Sequence, residues 1–538
     1  MRKYIPHVLI ISIFSLVLFT CPFVPAQSHK LADEYWIKAQ ELGKQGKHLE
    51  AADTYMKSIA ADQASPNPRI TMYSNALSKA GLSYGLANQL DKALKCHEES
   101  LEIARRLGQE DNIATSLYNI GRVYFDWEEY DKAIKYYEEV LEIDRRLGDE
   151  IEVSSDLNSI GIVYYSWGKY DKAINSFEES LEIDRRLGDE DSVASDLNHI
   201  GMVYLSWGQY DKAFTYCEKA LAIHKSLGSS SIRYSLSNLG SVYSAWGQPD
   251  KAIKYYEEVL EIDRKLGNED NIAACLNNIG MNFTSLLQHD KALKCYEEAL
   301  EIRRRLGHEA EVARVLNNSG HVYLSLGQND KAMNGFVESL EIARRLSREA
   351  DVASYLGSIG SVYGAWGQYD KAIKYHKEAL EIDRRLGRNA EVGVRLHNIG
   401  GSYLVSGQYK TAIKYLTESV TLVEKLRETA TGDVRRDYLA SQLDTYQLLV
   451  SAYIRDSDFF SAFQTIELSR AKLLAERLAH DESKVRLPEV KQIQDTLDED
   501  TVVLVYANVN RKDIAQIAIT KEEITGKRYP INHLYNHP

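Results

Sequence analysis

The tripeptide Asp-Lys-Ala begins at Asp91, Asp131, Asp171, Asp211, Asp250, Asp290, Asp330 and Asp370. Each step is 40 residues except one of 39, which follows Gly228-Ser229-Ser230-Ser231, where a loop has lost a residue. A ninth copy reads Lys410-Thr411-Ala412, and a weaker one lies upstream at Leu49-Glu50-Ala51. A chain built this way cannot fold around one central core. Each copy is a supersecondary unit too small to bury its apolar face alone, so stability comes from stacking on neighbours. Ten units run from about residue 28 to 427, and a divergent helical pair follows at about 434–479.

Residues 151–190 explain one unit. Leu157, Ile160, Tyr164 and Trp167 recur every three or four positions, which is one face of a helix. Gly168 ends it. Asp171 begins a second helix, where a carboxylate satisfies free backbone donors and suits the positive dipole end. Ala173, Ile174, Phe177 and Leu181 form its apolar face, Glu182 and Arg186 are spaced for an ion pair within the helix, and Gly188 closes the unit. Small residues fix how closely paired helices approach. Gly161 has counterparts in Gly121, Gly201, Gly240, Gly280, Gly320, Gly360 and Gly400, and Ala173 in Ala133, Ala213, Ala252, Ala292, Ala332, Ala372 and Ala412. Trp127, Trp167, Trp207, Trp246 and Trp366 share a column just before the turn, read as core packing.

Composition agrees with this and removes other classes. With 65 basic and 78 acidic residues in 538, the net charge is −13, the wrong sign for a nucleic-acid binder. Arg2 and Lys3 precede an apolar run from Val8 to Thr20, and Val24-Pro25-Ala26 supplies small residues for a cut before Gln27. Residues 1–26 therefore read as a secretory signal peptide and the chain as exported, periplasmic or extracellular. Left uncut, the segment would instead be a membrane anchor. Cleavage removes two positive charges, so −13 − 2 = −15 for the mature chain. Cys96, Cys217, Cys275 and Cys295 read as small buried hydrophobes.

The small-residue, aromatic and alanine positions Gly161, Tyr164, Gly168, Tyr170, Ala173 and Phe177 resemble the tetratricopeptide repeat family. The departure is in length, since the usual unit is about 34 residues. Units of 40 resemble those of kinesin light chains and of the Leu-Gly-Asn family of signalling scaffolds. The resemblance implies an all-α, right-handed superhelix of ten to eleven hairpins, whose groove is lined by each first helix and grips a peptide or partner protein. Residues 27–70 are then a degenerate unit, 71–430 the tandem array and 431–480 a divergent pair.

If that geometry holds, three columns of the first helices face the groove. One reads Tyr118, Asn158, Asn198, Ser237, Asn277, Asn317, Gly357 and His397. Beside it run Asn119, His199, Asn238, Asn278, Asn318 and Asn398. Asparagine both donates and accepts, so a ladder of them suits an extended backbone of any sequence; the alternative is asparagines that are solvated or bond the adjacent helix. The third column, Arg122, Ile162, Met202, Ser241, Met281 and His321, suits a partner with hydrophobic anchors.

No phosphate loop, Cys-x-x-Cys or His-Glu-x-x-His exists, so no catalytic residue, metal or cofactor is expected. The scattered histidines, His199, His321 and His397 among them, point to partner contact rather than to metal. In 481–538 the period stops. A polar linker at His480–Ser483, a short helix over Leu487–Leu497, a strand over Thr501–Val509, a turn at Asn510-Arg511-Lys512 and a strand over Asp513–Thr520 are expected. Arg470-Ala471-Lys472-Leu473-Leu474 and Asp498-Glu499-Asp500-Thr501 resemble the entry to a CHAT domain, the caspase-like peptidase fold. Its His-Cys dyad maps onto no residue, as no cysteine follows Cys295. The second reading is therefore the recognition half of a CHAT cysteine peptidase, in a domain that stops early. A lone hairpin here would be loosely ordered.

Overall fold

The computed structural model describes residues 25–65, 67–429, 432–477, 503–510, 513–519 and 523–530. The chain divides into two compact units, Met1–Asp196 and Leu197–Pro538. The first holds α1 (Pro25–Lys44), α2 (His48–Gln63), α3 (Ile70–Leu86), α4 (Leu90–Leu107), α5 (Glu110–Asp126), α6 (Tyr130–Leu147), α7 (Glu150–Ser166), α8 (Tyr170–Leu187) and the start of α9 (Glu190–Ser206). The second continues with α10 (Tyr210–Leu227), α11 (Ile232–Ala245), α12 (Pro249–Leu266), α13 (Glu269–Ser285), α14 (His289–Leu306), α15 (Glu309–Ser325), α16 (Asn329–Arg345), α17 (Glu349–Ala365), α18 (Tyr369–Arg385), α19 (Asn389–Val405), α20 (Tyr409–Thr429), α21 (Gly432–Arg455) and α22 (Phe459–Arg477). Odd and even helices pair as hairpins, the tetratricopeptide α-solenoid that the repeat implies. The signal segment and the linker and helix expected around 480–497 lie outside the described residues.

The core of each hairpin is its alanine column, at most 1% exposed from Ala133 to Ala412, and the ring or chain that the glycine column admits. A Cβ at Gly161 would lie 2.7 Å from Phe177 Cε1, and one at Gly320 2.5 Å from Phe336 Cε1. Turns use left-handed backbone: Gly168 has φ +73° and Gly188 φ +74°. At the Gly168 position Leu287 stands with φ +57°, 75% exposed, where its Cβ crowds the backbone. Leu287→Gly is expected to stabilise by about 1 kcal/mol. Gly327→Leu, the reciprocal change one repeat on, should cost a similar amount; both are read from thermal midpoints.

Three local expectations are corrected. Asp171 lies inside the first turn of α8, whose cap Lys169 makes no side-chain bond; capping aspartates serve the first helices instead, as Asp149 Oδ1 accepts from Glu152 N at 3.3 Å. Arg186 reaches Glu150 at 2.9 Å rather than Glu182, tying α8 to α7 within one hairpin. The same register gives Arg305–Glu269 at 2.6 Å and Arg385–Glu349 at 3.2 Å, and a second set gives Arg264–Glu298 and Arg304–Glu338, each at 2.7 Å. The tryptophans rim the core rather than fill it. Trp167 is 37% exposed, stacked 6.5 Å from Tyr164 and covered by Lys169 Nζ.

Beyond the helices, β1 (Val503–Asn510), β2 (Asp513–Ile519) and β3 (Ile524–Pro530) form an antiparallel sheet in that order, with Val505 opposite Ile517 and Ile517 opposite Gly526. The expected lone hairpin is therefore corrected to three strands. Val505, Ile517 and Ile519 bury against Val450, Ile454, Phe463 and Ile466 of α21 and α22, and the Phe459 ring lies over Gly526. This packing supplies the apolar cover that two strands lack.

Candidate functional site

Successive first helices touch directly: α3 meets α5 in the first unit, and α13, α15, α17, α19 and α21 meet in turn in the second. The three sequence columns lie on these helices, but their exposure differs. In the first column Asn198 and Asn277 are each 5% exposed. Asn198 Nδ2 donates to Ser235 Oγ at 2.9 Å, and Asn277 Oδ1 accepts from Asn318 Nδ2 at 2.9 Å. Asn158 donates to Ser180 Oγ at 2.8 Å, Asn317 accepts from Ser358 Oγ at 2.9 Å, and His397 Nδ1 lies 2.8 Å from Thr445 Oγ1. Tyr118 is half-buried against the Tyr137 ring at 5.2 Å. The bonds to Asn277 and Asn317 cross between successive first helices, as does one from Asn119 to Ser78 Oγ at 3.4 Å. The ladder thus bonds adjacent helices, and Asn198 and Asn277 are corrected from groove contacts to buried ties.

The third column is the accessible one. Ile162 is 40% and Met281 47% exposed, Arg122 and His321 are exposed, and Met202 and Ser241 are half-buried. Side chains at these positions stand one helical turn past the asparagines, on the same face. The His321 ring is tilted against that of Phe336 with centroids 5.0 Å apart, and its Nε2 lies 3.2 Å from Ser358 Oγ. Although His321 is exposed at the surface, the protein packed around its ring, then the charge of Arg395, holds its pKa below the ordinary imidazole value; burial alone does so for His199, and burial also dominates for His397. At neutral pH this face therefore offers neutral imidazoles.

Cys96, Cys217 and Cys275 are buried and Cys295 half-buried. Burial pushes the Cys96 thiol up to about 11 and those of Cys217 and Cys275 up to about 12, which makes them poor nucleophiles. Among the described residues no cluster of three or more His, Cys, Asp or Glu has the geometry to hold a metal, and no helix is long and apolar enough to cross a membrane. What the periodicity hid is the layer between repeats. There Asp144 faces Asp156, and Asp383 meets Arg395 at 3.1 Å. Asp144, Asp184, Asp263 and Asp383, four copies of one position near the end of the second helices, were the available signal.

Within each unit, stacked hairpins that set their first helices side by side are the architecture of a protein-interaction scaffold. The tetratricopeptide repeat matches residues 72–146, 112–186, 152–226, 191–265, 231–305, 271–345, 311–385 and 351–425, and the chain belongs to that family. No functionally curated protein matches it. Among solved structures it is similar to BtubC (BKLC) from P. vanneervenii, with 29% identity over 40% of this chain and 92% of that one and a TM-score of 0.37. It is also similar to a Rap protein complexed with competence and sporulation factor, at 15% identity, 68% and 99% coverage and a TM-score of 0.45. The apo quorum sensor NprR from B. thuringiensis is similar at 14% identity, 67% and 99% coverage and a TM-score of 0.44.

Proposed function

We propose that the chain is a non-catalytic, exported scaffold that holds a peptide or partner protein along the concave side of its first helices. The observation that carries this reading is the third column. Ile162 in the first unit and Met281 in the second are large apolar side chains left exposed in the repeat column where Arg122 and His321 are exposed too, while outer-face charges are engaged in ion pairs between hairpins. Apolar anchors within a polar frame are what a partner segment needs for affinity with orientation. The test uses peptides selected from a random display library on the full chain. Ile162→Asp with Met281→Asp should weaken them tenfold or more, while outer-face Glu178→Lys with Glu258→Lys leaves them unchanged. Equal affinity in both variants rejects the reading.

The recognition half of a CHAT peptidase is the second reading, and the β1–β2 hairpin after α22 favours it. An open reading frame beyond codon 538 with His and Cys motifs would support that reading, and its absence would leave the scaffold alone.

A further inference from the structure

A cavity of about 450 Å³ opens between α5, α6 and α7. Asp111, Asp144, Asp149, Glu152 and Asp156 line it beside the Tyr118 ring, and among the described residues no lysine or arginine does. Asp144 is 7% and Asp156 3% exposed, and Asp156 Oδ2 has no hydrogen-bond partner. Two facing carboxylates with an unused buried acceptor are costly to keep unless something answers them.

Other repeats show what answers them. Three repeats further on, α11, α12 and α13 enclose the equivalent space, with Asp263 in place of Asp144, Ser237 in place of Tyr118 and Cys275 in place of Asp156. Where α5 carries Ala114, α11 carries Arg233. Its Nη1 lies 3.1 Å from Asp263 Oδ1 and its guanidinium stands 4.7 Å over the Tyr234 ring. The space left there is about 120 Å³. Between α18 and α19 an arginine occupies the Asp156 position itself, and Arg395 Nε meets Asp383 Oδ2 at 3.1 Å. Among the described residues the Asp184–Asp196 layer has no guanidinium, and both buried carboxylate oxygens of Asp196 are without a hydrogen-bond partner. Twice, then, this chain supplies a guanidinium to the aspartate of this layer, and at Asp144 it leaves room for one.

We propose that the α5–α6–α7 cavity receives an arginine side chain of the bound partner, its guanidinium on Asp144 and Asp156 and against Tyr118. This deepens the scaffold reading, on which it rests, by naming the partner's chemistry. The planar fork matches two carboxylates and stacks on an aromatic ring, which an ammonium or a metal ion does not do.

The probe is the fluorescent peptide acetyl-Ala-Ala-Arg-Ala-Ala-amide on the full chain, with citrulline and lysine versions and Ca²⁺ alone as competitors. The arginine peptide should bind at least tenfold more tightly than the citrulline and lysine peptides. Ala114→Arg, which installs the side chain of the equivalent copy, should weaken it tenfold or more. Asp144→Asn with Asp156→Asn should do the same with helical content unchanged, and decides the matter if Ala114→Arg does not fold. Equal binding of citrulline, unaltered binding by both variants, or competition by lysine or Ca²⁺ as strong as by arginine would overturn the proposal. If library-selected peptides still require Ile162 and Met281 in that event, the scaffold reading survives and only the arginine pocket falls.

Discussion

A valine at Gly320 is expected to break the α15–α16 hairpin. The glycine leaves just the thickness that the Phe336 ring fills, with Phe336 0% exposed and a Cβ at residue 320 only 2.5 Å from Cε1. Neither side can yield, because Ala332 is also fully buried beneath them. Overpacking of this kind costs about 3 kcal/mol, and in a stacked array the loss falls on the hairpin and its neighbours. Hydrogen exchange should quicken through α15 and α16, and the denaturation midpoint should drop. Phe336→Ala alone should cost about 3–5 kcal/mol. In the double variant the valine occupies vacated ring space, so the two costs should add to at least 1 kcal/mol less than their sum. Strict additivity would show that the close approach is incidental.

Asp156→Asn should stabilise the protein, and by more at pH 8 than at pH 5. Burial is the main cause that pushes Asp156 up to about 8, helped by its hydrogen bond to Asp144 and by the charges of Asp144 and Glu152. Facing the pair are also Asp111 from α5 and Asp149 from the preceding turn, both acidic. In the unfolded chain the carboxyl returns to about 3.9. Between these values the folded state binds the extra proton, so stability falls as pH rises from about 4 towards 8 and levels off above it. An amide donates to Asp144 without ionising and removes that slope. A melting gain of several degrees at pH 8, shrinking towards pH 5, is the expected result. A gain independent of pH would mean that the pair is not titrating.

The repeated copies acted as an internal alignment, which is why the hairpins and the Gly and Ala columns could be read before any coordinates. What escaped was whatever depends on how one helix lies on another, within a hairpin or between hairpins. Arg186 had a correctly spaced Glu182 within its own helix, yet Glu150 of the neighbouring first helix is the group it reaches. Asn277 has the chemistry of a peptide clamp, but the distance between first helices places Asn318 against it. β3 carries Thr525, Lys527 and Arg528 and shows no apolar alternation, so only its pairing with β2 reveals it. The exposed Ile162 and Met281 were legible as a mixed column, whereas the acidic cavity needed α5, α6 and α7 to be in place.

The recurring Arg–Glu bridges have an evolutionary consequence. Because Arg264–Glu298, Arg304–Glu338, Arg344–Glu378 and Arg384–Glu418 repeat one joint, hairpins in that stretch are interchangeable parts. A gene encoding them can gain or shed whole copies by recombination without disturbing the seams. The length of the array can therefore be adjusted in steps of one hairpin while the attachment chemistry stays the same.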